Sequence, residues 1–145
     1  MRIGVPKEIK PQENRIGLTP DSVKTLVSEG HEVLVENNGG FEAGFDNDQY
    51  KNAGAKIIEK AADIFNDAEI IVKVKEPQKV EVEMIRENQI VYTYLHLAAA
   101  KELTEGLVKS KSINIAYETI TDDNGRLPLL APMSAVAGRM SVQAG

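Results

Sequence analysis

Short apolar runs of strand length recur along the chain, and between them the apolar positions fall at helical spacing. That alternation predicts repeated βαβ units around a mainly parallel sheet. Six runs read as strands: Arg2 to Val5, Glu32 to Val35, Lys56 to Ile58, Ile70 to Val74, Ile90 to Leu95 and Ile113 to Tyr117. The clearest helix starts at Thr19-Pro20-Asp21, where Thr caps and Pro takes the first helical position; Val23, Leu26 and Val27 form its apolar stripe before Gly30 ends it. Further helices are expected near Asp48 to Ala53, Ala61 to Asn66, Val80 to Glu87 and Lys101 to Lys109. Asp122-Asp123-Asn124-Gly125 signals a turn or hairpin excursion within Thr119 to Leu130. The expected fold is α/β: an open, mainly parallel, twisted sheet with helices on both faces.

The last segment breaks the pattern. From Pro132 to Gly145 the only charged residue is Arg139, while Met133, Val136, Ala137, Met140 and Ala144 keep helical spacing. A helix with so little polar face is expected to pack on, or continue into, something further. The chain therefore reads as residues 1–131 forming one α/β domain, followed by residues 132–145 as the start of a linking helix in a longer protein.

Composition narrows the function classes. The 145 residues suit one domain with its own core. No stretch approaches the roughly 20 apolar residues a membrane span needs. The opening Met1-Arg2-Ile3-Gly4-Val5-Pro6-Lys7-Glu8 lacks the pattern of a secretory signal, so a cytoplasmic location is expected. There is no cysteine, which excludes disulfides and thiolate chemistry. The two histidines, His31 and His96, are far apart and no calcium-loop spacing occurs, so no metal site is expected. A net charge of -5 without a dense Lys/Arg tract argues against nucleic acid or an anionic membrane as partner. A small-molecule ligand is the remaining expectation.

Two strand runs end on ionisable residues. Ile70 to Val74 leads to Lys75, and Ile90 to Leu95 leads to His96. In an open parallel sheet ligands bind beyond the carboxyl ends of the strands, so both residues are expected at one crevice. Lysine there can hold a carboxylate or polarise a carbonyl, and an imidazole is suited to proton transfer near neutral pH. Lys73 is expected to share the Lys75 face of the strand. Arg15, in the polar loop between the first strand and first helix, is a candidate bidentate carboxylate anchor. Taken one at a time, Lys75 reads as readily as a solvated strand-end lysine, His96 as a hydrogen-bonded turn histidine and Arg15 as a surface ion-pair partner. His31, at a helix exit, fits a surface turn. No Gly-x-Gly-x-x-Gly, Walker-type phosphate loop or Gly-x-Ser-x-Gly elbow is present.

Five blocks taken together carry a resemblance: Met1 to Lys10, Glu13-Asn14-Arg15-Ile16-Gly17-Leu18-Thr19-Pro20, Val72 to Pro77, Tyr94-Leu95-His96-Leu97-Ala98 and Leu130-Ala131-Pro132-Met133-Ser134. Their order and content resemble the N-terminal portion of the alanine dehydrogenase family, which shares its architecture with a transhydrogenase subunit. The resemblance implies a Rossmann-like or flavodoxin-like substrate domain and NAD-dependent oxidative deamination of L-alanine to pyruvate and ammonium by a homohexamer. By that similarity Arg15 and Lys75 bind substrate, His96 and Lys75 are catalytic with His96 moving protons, and Ser134 and Met133 lie on the cofactor side. The glycine-rich NAD-binding domain would follow Gly145, so the chain alone is expected to lack turnover. A non-catalytic binding or assembly module, or a transhydrogenase subunit domain, are the competing readings.

Overall fold

The computed structural model describes residues 1–144. Among them β1 (Arg2–Val5), β2 (Glu32–Glu36), β3 (Lys56–Ile58), β4 (Ile70–Val72), β5 (Ile90–Thr93) and β6 (Ile113–Ala116) form one sheet in the order β3-β2-β1-β4-β5-β6. Every neighbouring pair is parallel. The helices are α1 (Pro20–Ser28), α2 (Asn47–Asn52), α3 (Ala61–Asp67), α4 (Lys79–Val82), α5 (Lys101–Ser110) and α6 (Ala131–Ala144). The α/β expectation therefore stands, and all six strands are parallel.

Side-chain alternation along the strands divides the core between the two faces of the sheet. Val5, Val33, Val35 and Val72 pack with Val23 of α1 and Tyr50 of α2. Leu34, Ile71 and Val91 point the other way, against Ile64 and Phe65 of α3 and Leu107 of α5. Each of these fully buried side chains contributes roughly 1.5–3 kcal/mol relative to exposure. Gly4 lets α3 close on the sheet, since a Cβ there would lie 2.5 Å from Ile64 Cγ2. Thr19 caps α1 by accepting the Ser22 N–H at 3.3 Å, as its sequence signature indicates.

Several boundaries differ from the sequence expectation, most by a single residue; the larger differences are in β4, β5 and α4. β4 stops at Val72 because β1 pairs with it only as far as Gly4↔Ile71 and then turns away at Pro6. β5 stops at Thr93, and β6 at Ala116, where a 3₁₀ turn over Tyr117–Thr119 takes over. α4 is one turn, Lys79–Val82, rather than Val80 to Glu87. Beyond it Met84 and Ile85 donate to carbonyls three residues back, and this tight winding swings Ile85 into the core. The Thr119 to Leu130 segment holds a turn closed by Asp122 N–H to Arg126 O at 2.9 Å, without strands.

Strand order reverses at the β1/β4 boundary: β2 and β3 lie on one side of it, β5 and β6 on the other. In doubly wound sheets such a switch point opens a crevice at the carboxyl ends of the strands.

Candidate active site at the switch point

Three loops leave the carboxyl ends of β1, β4 and β5 and supply the predicted residues. The loop after β1 carries Glu8, Glu13 and Arg15 and returns over the end of β4. Contact there is close: a Cβ on Gly17 would lie 2.5 Å from the Val72 carbonyl oxygen. Only glycine allows this approach. Gly17→Ala should push the loop off β4, costing about 1–3 kcal/mol and weakening whatever Arg15 binds; thermal unfolding and ligand titration of the variant check this.

Where β1 has turned away, the N–H groups of Val74 and Lys75 lose their strand partner. The Glu8 carboxylate replaces it, accepting from Val74 at 2.6 Å and Lys75 at 3.3 Å. Its other oxygen lies 3.1 Å from Lys73 Nζ, and Lys73 also pairs with Glu81 at 2.7 Å. All three side chains are almost wholly removed from solvent. Burial pushes the Glu81 carboxyl up from its ordinary range, against the opposing pull of Lys73. Lys73 and Lys75 thus do not share an environment: Lys73 is sunk in an ion cluster, while Lys75 stays partly exposed. The Lys75 carbonyl is fixed from β5 by the Thr93 hydroxyl at 2.9 Å.

Arg15 is anchored by its neighbour Glu13. Nε donates to Glu13 Oε1 at 2.8 Å and NH2 to Oε2 at 2.6 Å, while the Arg15 backbone N–H also reaches Oε1 at 2.9 Å. The guanidinium, helped by Lys75, holds the Glu13 carboxyl down at about 2. The remaining nitrogen, NH1, lies 3.2 Å from the thioether of Met133 at the start of α6.

His96 follows β5 in a left-handed conformation, φ 51°. The Glu118 carboxylate secures that turn by accepting the N–H groups of Leu95 at 3.1 Å and His96 at 2.7 Å. The exposed imidazole stacks on Tyr94, ring centroids 6.3 Å apart. Tyr94 packs edge-on to Tyr117 at 4.9 Å, and burial pushes the Tyr117 hydroxyl well up.

Arg15, Lys73, Tyr94, Tyr117, Pro132 and Met133 line a cleft of about 410 Å³. The structure brings Arg15 and Met133 together directly, whereas Lys75 and His96, expected in the same crevice, are not among the cleft's lining residues; His96 is joined to it through its stacking on Tyr94. Ser134 follows Met133 on exposed α6 and is not among the residues lining the cleft. His31 precedes β2 at the opposite end of the strands, beside the chain's amino terminus. A larger groove of about 700 Å³ between α4 and α5 has its own charged lining in Glu76, Lys79, Glu83, Glu102 and Lys109, but holds none of Arg15, Lys75, His96 and Met133. Chemistry rather than size selects the smaller cleft. Among the described residues no cluster of His, Asp or Glu suits a metal ion. No helix there is long and apolar enough to cross a membrane.

Sequence reasoning did not single out Glu8, Glu13, Glu81, Tyr94, Tyr117 or Glu118. The one signal available for Glu8 is its position just past Pro6, where β1 leaves the sheet.

Fold and cleft together define a class: a doubly wound α/β domain with a cation-bearing crevice at its topological switch point. The chain belongs to the family described as alanine dehydrogenase/PNT, N-terminal domain, which it matches over residues 4–137. It is 52% identical over its whole length to an alanine dehydrogenase of Staphylococcus epidermidis and 53% identical to one of Halomonas elongata. In both cases it spans 39% of the relative's length. A solved L-alanine dehydrogenase structure superposes with a TM-score of 0.94 at 52% identity, covering all of this chain and 40% of that one. A transhydrogenase structure from Sinorhizobium meliloti gives 0.79 at 27% identity, covering 86% of this chain and 35% of that one.

Proposed function

We propose that this chain is the substrate-side part of an NAD-dependent L-alanine dehydrogenase, interconverting L-alanine and pyruvate with ammonium. The observation that supports the reading is that the segments bearing Arg15, Lys75 and His96 follow the adjacent strands β1, β4 and β5, at the point where strand order reverses. The greater identity to alanine dehydrogenases than to the transhydrogenase supports the first over the second. A module freed from catalysis would have no use for the three residues together.

In this reading the substrate carboxylate docks on the free edge of Arg15. After hydride loss from the α-carbon, water adds to the resulting iminium and the C–N bond breaks to release ammonium. His96 takes the proton from that water and returns protons as required, while Lys75 holds and polarises the carbonyl oxygen so formed. Residues 1–131 then form the substrate domain and the segment 132–145, whose last residue Gly145 lies outside the described residues, begins the connection to a cofactor domain. NAD, when bound, accepts the hydride. The residues here would serve only its nicotinamide side: Met133 lines the cleft with Ser134 next to it in sequence, and the sequence of 145 residues holds no glycine-rich phosphate cradle. The chain alone is therefore expected to have negligible turnover. A homo-oligomeric setting rests on the family resemblance.

The test is the full-length protein assayed for pyruvate- and ammonium-dependent oxidation of NADH. Activity that Arg15→Ala weakens by raising KM for pyruvate about 10- to 100-fold, as loss of a charged hydrogen bond would, supports the reading. No activity with pyruvate, or an unchanged KM, overturns it.

A further inference from the structure

Arg15 does not offer its whole guanidinium to a ligand. Glu13 covers the Nε–NH2 edge with both carboxylate oxygens, and its Oε1 is held a second time by the Arg15 backbone N–H. Glu13 is therefore tied to its own loop and cannot swing aside without also releasing that backbone. Its side chain is only 9% exposed, against 49% for Arg15, so the fixed negative charge lies under the cation rather than out in water. What remains free is the NH1 side, turned toward Met133 and the cleft.

The other nearby carboxylates are committed elsewhere. Glu8 and Glu81 are bound to Lys73, Glu76 is paired with Lys10, and Glu118 is bound to the turn N–H groups of Leu95 and His96. Of the cleft's two lining cations, Lys73 is thus already doubly paired, which leaves Arg15, with Glu13 bound along one edge, as the charge open to a ligand.

We infer that Glu13 is a specificity-determining residue: it limits the seat to one incoming carboxylate and so selects small 2-oxo monocarboxylates over 2-oxo dicarboxylates. The inference rests on the reading of the cleft as the alanine/pyruvate site. One carboxylate takes the free edge of Arg15, while a second finds the other edge already held by the Glu13 anion. Specificity of this kind comes from a built-in repulsion rather than from an added contact. A second consequence is positional, because the Glu13 clamp fixes the direction in which the guanidinium faces.

The experiment compares pyruvate with oxaloacetate as substrates of the full-length enzyme and its variants. Glu13→Gln keeps an oxygen for the Arg15 N–H and removes the charge; the kcat/KM ratio of oxaloacetate to pyruvate should rise about tenfold. Glu13→Asp keeps the charge on a shorter arm, so KM for pyruvate should rise while that ratio stays put. Neutralising a remote acid, Glu105→Gln on α5, should change neither. A ratio unmoved in Glu13→Gln, or raised as much in Glu13→Asp, overturns the inference even if pyruvate turnover remains dependent on Arg15. Loss of that dependence would instead sink the reading of the site.

Discussion

His96→Asn should lower kcat of the full-length enzyme by about 10²–10⁴-fold, the range attributed to a positioned acid–base group. Asparagine is the informative replacement. The residue at this position adopts φ 51°, a conformation that Asn tolerates better than most side chains, so the turn survives while the transferable proton is lost. Glu118 would still accept the N–H groups of residue 96 and Leu95, because those bonds are made by the backbone. Pyruvate binding should therefore persist, seen as KM within a few-fold of the parent, with the defect confined to kcat. Steady-state kinetics in both directions checks this. A variant that keeps normal kcat would remove His96 from the chemistry, and one that loses binding alone would make it a contact rather than a proton carrier.

Lys73→Ala should have the largest effect on stability. Lys73 is wholly buried between Glu8 and Glu81, and its removal leaves two carboxylates facing each other without the cation that offset their desolvation. Breaking a buried pair in this way costs about 3–5 kcal/mol, a large part of the roughly 5–15 kcal/mol that holds a domain together. The loss should depend on pH with a definite sign. Burial already pushes Glu81 upward, and without Lys73 its folded-state pKa must rise further above the unfolded value. The folded variant then binds more protons than the unfolded chain, so it gains stability as pH falls and loses it as pH rises. Urea unfolding followed by circular dichroism should find the deficit larger near about pH 7 than near about pH 5. An equal deficit at both would mean the carboxylates are relieved in some other way, such as entry of water.

Much of the fold is legible in the chain because parallel-sheet physics writes locally. β1, β3, the N-terminus of α1 and the runs that become β4 to β6 are set by apolar runs and a capping signature, each readable within a few residues. The ends of β4 and β5 are less legible. Val74 and Lys75 look like strand continuation, yet their N–H groups go to a side chain 66 and 67 residues away rather than to another strand. Glu8 in sequence is one more charged residue in a polar loop. Lys73 likewise reads as an ordinary alternating position, and only its two acidic partners, 65 and eight residues distant, explain its burial. Lys75 and His96 were legible because a strand ending on an ionisable side chain is a local event. The carboxylates that hold their backbones are not, since each reaches them only after the sheet has assembled.

The segment from Pro6 to Thr19 has no regular secondary structure, and such stretches ordinarily absorb insertions and deletions with little cost. This one is pinned along its length. Glu8 is bound to the end of β4, Gly17 lies against the Val72 carbonyl, and the Leu18 carbonyl receives the hydroxyl of buried Tyr50 at 2.9 Å. Adding or removing a single residue would put at least one of these anchors out of reach. The loop therefore works as a template of fixed length, and variation in the chain is better accommodated at Asp122 to Gly125, where the turn stands exposed and nothing of the cleft depends on it.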